Sequence, residues 1–195
     1  MLHGGVNMVT RGQWIAVSLI VGGLAAAIVV GMSLTPDIRP VRPGSEAPDF
    51  QATNVVTGDT VEWADYRGDV VLLNIWATWC APCEMEMPSM QRLHELLGPK
   101  GLKVVAVSVD AIGSDRVRQW ADERNLNFDI LHSRSGRIER DYQTTAVPES
   151  FIVDRDGVIV RKEISAREWD SQTYIDIFTR LLGLEDAEAP LQETR

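Results

Sequence analysis

Apolar and polar positions alternate between two regimes along the chain. Residues 12–36 carry no charged side chain, and "WIAVSLIVGGLAAAIVVGMSL", 14–34, supplies 21 mostly apolar residues. At 1.5 Å per residue that run is long enough for the roughly 30 Å of a bilayer core. Beyond it the apolar runs shorten. "VVTGDTVEW" predicts a hairpin around Gly58, and "VVLLNIW", 70–76, is a continuously apolar run of the kind that forms a buried central strand. Residues 81–97 predict a helix, "LKVVAVSVD" a second buried strand, and "SDRVRQWADERN" a helix entered through Ser114. "SFIVDRDGVIV" predicts a hairpin turning at Asp156-Gly157, and "EWDSQTYIDIFTRLLG" a closing helix stopped by Gly183. The order strand, helix, strand, helix, hairpin, helix implies an α/β architecture around a mixed sheet.

These elements divide the chain into an amino-terminal segment 1–13, a transmembrane anchor 14–34, a stalk 35–46, a globular domain 47–183 and an acidic tail 184–195. Prolines 36, 40, 43 and 48 favour extended backbone, which makes 35–46 a stiff spacer. A cleaved signal peptide is the rival reading of the apolar run. Its apolar region spans about 7–15 residues and ends at small residues, whereas Ala25–Ala27 lies in mid-run. Arg11 precedes the span and Arg39 and Arg42 follow it, so charge counting leaves the orientation open.

A net charge of −9 argues against a nucleic-acid partner, whose phosphates need a basic face. The two cysteines are too few to staple a small secreted fold, and both lie in "NIWATWCAPCEMEMP", 74–88. Cys80 directly follows the central strand, and Pro82 stands where a helix accepts proline in its first turn. Unpaired N–H groups and the helix dipole at such a turn favour a thiolate, which makes Cys80 the expected nucleophile. Cys83, one turn deeper, is placed to resolve a mixed disulfide formed on Cys80. Zinc would want four ligands, and His3, His94 and His132 are scattered, so no metal is assigned. Copper(I) held by the two thiolates, and two inert core cysteines, remain as alternatives.

"WCAPC" after an apolar strand, with "VPESFIVDRDGVIV" downstream, resembles the thioredoxin fold. "GSEAPDF", the single apolar span and "NIWATWC" resemble the TlpA/ResA-like membrane-anchored thiol-disulfide oxidoreductases, over roughly 44–183. The resemblance implies that Pro148 is the cis-proline facing the cysteine pair and that the Val147 backbone pairs with substrate in strand fashion. Trp79 and Pro82, beside Cys80, join them as expected substrate contacts, while Trp76 reads as core. Thioredoxins carry a buried aspartate six residues before the first cysteine, but here Asn74 stands there, and an amide cannot take up the proton. Glu86 is the expected replacement, because Cys83, Glu86, Met90, Leu93 and Leu97 share one helical stripe. A carboxyl on so apolar a stripe should have a raised pKa suited to proton relay with Cys83. Glu84 points off the stripe and reads as a solvated first-turn acid, and Pro88 is expected to bend the helix.

The leading reading is a reductase of disulfides in exported proteins, anchored in the inner membrane with its catalytic domain on the periplasmic side. It would be recharged by a membrane thiol electron donor and need no cofactor beyond its own thiols. By resemblance, apocytochrome c is the foremost substrate, in cytochrome c biogenesis. Two alternatives come from other classes. A copper-binding chaperone for oxidase assembly would need a wider cysteine spacing and a partner histidine. A peroxiredoxin-like peroxidase is prompted by "GSEAPDF", but Leu73 and Ala77 stand where its proline and threonine belong.

Overall fold

The computed structural model describes residues 11–34 and 40–185, which fall into two units. The first is a single helix, α1 (Arg11–Leu34). Its stretch Gly12–Gly31 has a mean hydropathy of 2.3 and buries none of its surface within the protein. By length and composition this helix is long and apolar enough to cross a bilayer.

The second unit is built on a seven-stranded sheet. Its strands are β1 (Gln51–Asn54), β2 (Thr60–Glu62), β3 (Val70–Trp76), β4 (Leu102–Ser108), β5 (Asp129–His132), β6 (Glu149–Val153) and β7 (Ile159–Ile164), in the order β2-β1-β5-β4-β3-β6-β7. The strands β3, β4 and β5 run parallel, and the antiparallel pairs β1–β2 and β6–β7 flank them. All seven residues of β3 are buried, which explains its unbroken apolar run: a central parallel strand is covered on both faces. Leu72 and Trp76 face α2 (Ala81–Leu97), α3 (Ser114–Asp122) and α5 (Gln172–Leu181). Val71, Leu73 and Ile75 face the opposite core of Phe50, Trp63, Tyr66 and Tyr142, next to α4 (Arg137–Asp141). This is the thioredoxin-like fold, and it sets the end of β3 and the start of α2 at the edge of the larger core.

The first hairpin turns around Gly58 and the second across 154–158. There the Asp154 carboxylate accepts from the N–H groups of Asp156 and Val158, and Gly157 takes φ +79°. Three expectations change. Ser114 does not cap α3: Gly113 holds that position, and the Ser114 hydroxyl lies 2.9 Å from Nδ1 of His132. The closing helix starts at Gln172 rather than Glu168, because Trp169 is drawn into the core and 165–171 is a loop.

The third concerns the stalk, of which 35–39 lies outside the described residues. Residues 40–46 are part of the domain. Val41 is buried and its N–H donates to Gln143 (3.2 Å), Gly44 N–H donates to the Ile159 carbonyl (2.8 Å), and Ile159 N–H to that of Ser45 (2.9 Å). The prolines remove only their own donors: the Arg42 N–H meets Ser45 Oγ at 3.2 Å, and the Gly44 N–H pairs with the start of β7. A chain beginning at residue 47 should therefore be less stable than one beginning at residue 40, by about 2–3 kcal/mol for the lost bonds and the buried valine. Urea unfolding of the two checks this, and equal midpoints would contradict it.

Candidate active site

Cys80 occupies the N-cap of α2, with extended backbone (φ −92°, ψ 101°), where β3 has ended and the helix has not begun. Its sulfur accepts the N–H of Cys83 at 3.2 Å and forms a disulfide with Cys83, the Cα atoms 5.2 Å apart. Pro82 lies in the first helical turn, where its missing N–H leaves no gap in the ladder. Cys80 is 5% exposed and Cys83 wholly buried, so an incoming sulfur meets Cys80 first. The Val147–Pro148 peptide bond is cis, and the Val147 carbonyl oxygen lies 3.5 Å from the Cys80 sulfur. The cis-proline therefore faces the cysteine pair.

Glu86, one turn beyond Cys83, is 2% exposed. Its Oε2 accepts the Arg167 N–H and the Trp169 indole N–H, both at 3.0 Å. Its Oε1 accepts from the Asn74 amide nitrogen at 2.8 Å, and that nitrogen also donates to Ser150 Oγ at 2.8 Å. Burial raises the Glu86 pKa above its ordinary 4.5, and the donors from Trp169, Arg167 and Asn74 offset this only in part. A wholly buried sulfur and a carboxyl that resists ionisation thus sit one turn apart on the same stripe of α2, beside the Cys80 sulfur at the helix mouth.

A chain with this geometry has recognisable kin. Residues 43–162 match the model of the AhpC/TSA family. The thiol-disulfide oxidoreductase ResA of Oceanobacillus iheyensis is 37% identical over 155 residues, which cover 76% of this chain and 80% of the relative. The chain belongs to the AhpC/TSA family, among its ResA-like thiol-disulfide oxidoreductases. The thioredoxin-like protein YneN of Bacillus subtilis is 40% identical over 121 residues, 61% of this chain and 69% of that one. Among solved structures, the Chlorobium tepidum protein assigned as thiol:disulfide interchange protein DsbE superposes with a TM-score of 0.67 at 30% identity, covering 73% of this chain and 99% of that one.

Within this ResA-like site, Cys80, Cys83, Pro82, Val147 and Pro148 converge, and Glu86 stands directly behind. Trp79 lies on the surface beside Cys80, 71% exposed, whereas Trp76 is buried with its ring 4.7 Å from that of Trp120. Glu84 pairs with Arg124 at 2.6 Å on the solvent side, clear of the stripe. Leu73 and Ala77, at the positions where a peroxidase would carry proline and threonine, are buried apolar residues. His132 spends both ring nitrogens on Asp110 and Ser114, and His94 packs against Phe128. A groove of about 720 Å³ along β1 and the start of α4 includes none of the cysteine-site residues.

Sequence reasoning missed Arg167 and Trp169 as partners of Glu86. Arg167 acts through its backbone, which carries no signal in the sequence. Trp169 reads from the sequence as part of the closing helix, although a tryptophan ahead of the Ser171 cap is also a signal for a core anchor. Asn74 was read only as a lost proton acceptor, yet its amide is what holds Oε1.

A glutamate pKa raised by folding means that the native state holds the proton more tightly than the unfolded chain. The stability linked to it is full below the ordinary glutamate value and is lost as pH rises through the raised one. Glu86→Gln should escape that loss, so its melting temperature relative to the natural protein should improve across this window. The same variant should slow thiol–disulfide interchange at least about tenfold, as loss of a general acid–base group does, and remove the corresponding limb of the pH–rate profile. Melting curves and stopped-flow rates between pH 4 and 8 check both, and an unchanged pH–rate profile would make Glu86 a structural carboxyl rather than a proton carrier.

Proposed function

We propose that this oxidoreductase is an anchored reductase of disulfides in exported proteins. The observation that carries the reading is the pairing of Cys80, at the helix mouth and against the Val147 carbonyl, with a wholly buried Cys83 backed by Glu86. In the reduced protein the Cys80 thiolate attacks one sulfur of a substrate disulfide. That bond breaks, a mixed disulfide forms, and the departing sulfur takes a proton. Cys83 then gives its proton to Glu86 and attacks Cys80 Sγ, which releases the second substrate sulfur and closes the Cys80–Cys83 disulfide. Two donors already occupy Oε2 of Glu86 and one occupies Oε1, so the incoming proton goes to the Oε1 side. Substrate lies along Val147 and Pro148 as an added strand, with Trp79 and Pro82 against its side chains.

The site supports anchoring on the extracytoplasmic side through chemistry. A thiol pair kept reduced by soluble cytoplasmic systems gains nothing from a membrane span, whereas outside the inner membrane it requires a membrane dithiol donor, which is oxidised as Cys80–Cys83 is reduced. The length and apolar composition of α1 support the anchoring. The family resemblance makes apocytochrome c, through its CxxCH cysteines, the foremost substrate, with general disulfide reduction next.

A reductase of this kind should have a Cys80/Cys83 potential near that of thioredoxin, about −270 mV, measured by equilibration with glutathione or dithiothreitol. A value near about −120 mV would mark an oxidant and sink the proposed direction. Cys83→Ser should accumulate a mixed disulfide on Cys80 with a CxxCH peptide disulfide, and Cys80→Ser should accumulate none.

A further inference from the structure

The turn that delivers Cys80 is fastened from beneath. Residues 77–80 form a tight turn closed by Cys80 N–H on the Ala77 carbonyl at 3.2 Å, and its third residue, Trp79, lies in solvent. On the inner side Thr78 meets a buried carboxylate twice: its N–H reaches Asp110 Oδ2 at 2.9 Å and its hydroxyl reaches Oδ1 at 2.7 Å. Asp110 follows the end of β4, is 1% exposed, and takes a third donor, the Ser108 hydroxyl, at 2.7 Å.

The carboxylate is itself fixed in space. Asp110 N–H donates to Ser108 Oγ at 3.2 Å, and its carbonyl is met by His132 Nε2 at 2.9 Å. A carbonyl can only accept, so that nitrogen carries the proton, while Nδ1 stands against the Ser114 hydroxyl at 2.9 Å. The neighbouring Val109 N–H is tied to the Trp76 carbonyl at 2.9 Å. A continuous polar chain therefore runs from the first residue of α3, past the ends of β5 and β4, to the residue two positions before the reactive sulfur. Neither the cysteine chemistry nor the Glu86 relay accounts for this buried acid.

We propose that Asp110 is a positioning residue for thiol–disulfide exchange, which clamps Thr78 and thereby holds Cys80 Sγ on the Cys83 N–H and against the Val147 carbonyl. The clamp rests on the reading of Cys80 as the attacking thiol. A two-point grip fixes both the position and the rotation of the turn, since neither the backbone bond nor the hydroxyl bond alone can do so. Charge-assisted bonds to a buried acceptor are also the strong kind, about twice the neutral ones. When the grip is released the sulfur drifts from the N–H that stabilises its anion, and its reactivity at mildly acidic pH falls. The negative charge of Asp110 works in the opposite sense, because by itself it disfavours a nearby anion. The two effects can therefore be separated by their sign.

The test is alkylation of the reduced full-length protein with iodoacetamide at pH 6, with Cys80 and Cys83 resolved by mass spectrometry. Asp110→Asn keeps the shape but sets a donor against the Thr78 donors, and Thr78→Val removes only the hydroxyl. Both should slow Cys80 alkylation about threefold or more at that pH and move its pH profile upward. Thr78→Ser, which keeps both donors, should stay near the natural rate. Thr78→Val leaves Asp110 and the backbone bond in place, and it decides the matter alone if Asp110→Asn does not fold. Unchanged rates, or faster alkylation as loss of a charge alone would produce, overturn the clamp. A natural protein in which Cys80 reacts no faster than Cys83 removes the reading of Cys80 and the clamp with it. A fast Cys80 that the variants leave unaltered removes the clamp only.

Discussion

The contact on which the site turns is the N–H of Cys83 directed at the sulfur of Cys80, 3.2 Å away, across the first turn of α2. A helix start leaves its first N–H groups without intrahelical partners, and most proteins answer with a hydroxyl or carboxylate cap. Here the cap is sulfur. The group that completes the helix is then one of the two sulfurs of the CxxC pair, and an N–H at a helix start favours a thiolate over a thiol. Much of the surrounding fold serves to hold this contact: β3 is buried on both faces so that it ends at a fixed point, and the Met87, Met90, Leu93 and Leu97 side chains pin α2 to the core.

One turn further along α2 the surroundings change. Cys83 and Glu86 are buried between α2 and the sheet, and donors from two places, β3 and the 165–171 loop, only partly offset the burial of the Glu86 carboxyl. Burial raises the Glu86 pKa, whereas the start of α2 presents the Cys83 N–H to the Cys80 sulfur, so two different environments lie within one helix.

Parts of this were legible in the amino-acid order because they depend on local pattern. "VVLLNIW" and "LKVVAVS" read as central strands since parallel strands covered on both faces need no polar side, and 81–97 read as a helix from its stripe and from Pro82. Glu86 stood out as the one carboxyl on that stripe. What escaped depends on partners remote in sequence. β5 is only "DILH" and α4 only "RIERD", each too short for a periodicity of its own, and β5 exists by pairing with β4 and β1. Ser114 is expected to cap its helix, but Gly113 takes that position and the Ser114 hydroxyl lies against His132. Prolines 40 and 43 suggest a detached spacer, and only the fold shows the N–H groups between them in use, on the Gln143 side chain and the Ser45 hydroxyl.

The central claim is that the Cys83 N–H and the Cys80 sulfur are coupled in the reduced protein and that the helix start holds the sulfur as an anion. It is tested most directly by following the backbone amide resonance of Cys83 by NMR as the reduced protein is titrated. The account predicts a large shift of that resonance whose midpoint lies well below the roughly 8.5 of a free cysteine. A Cys83 amide that stays still, or moves only with a midpoint near that of free cysteine, would contradict it.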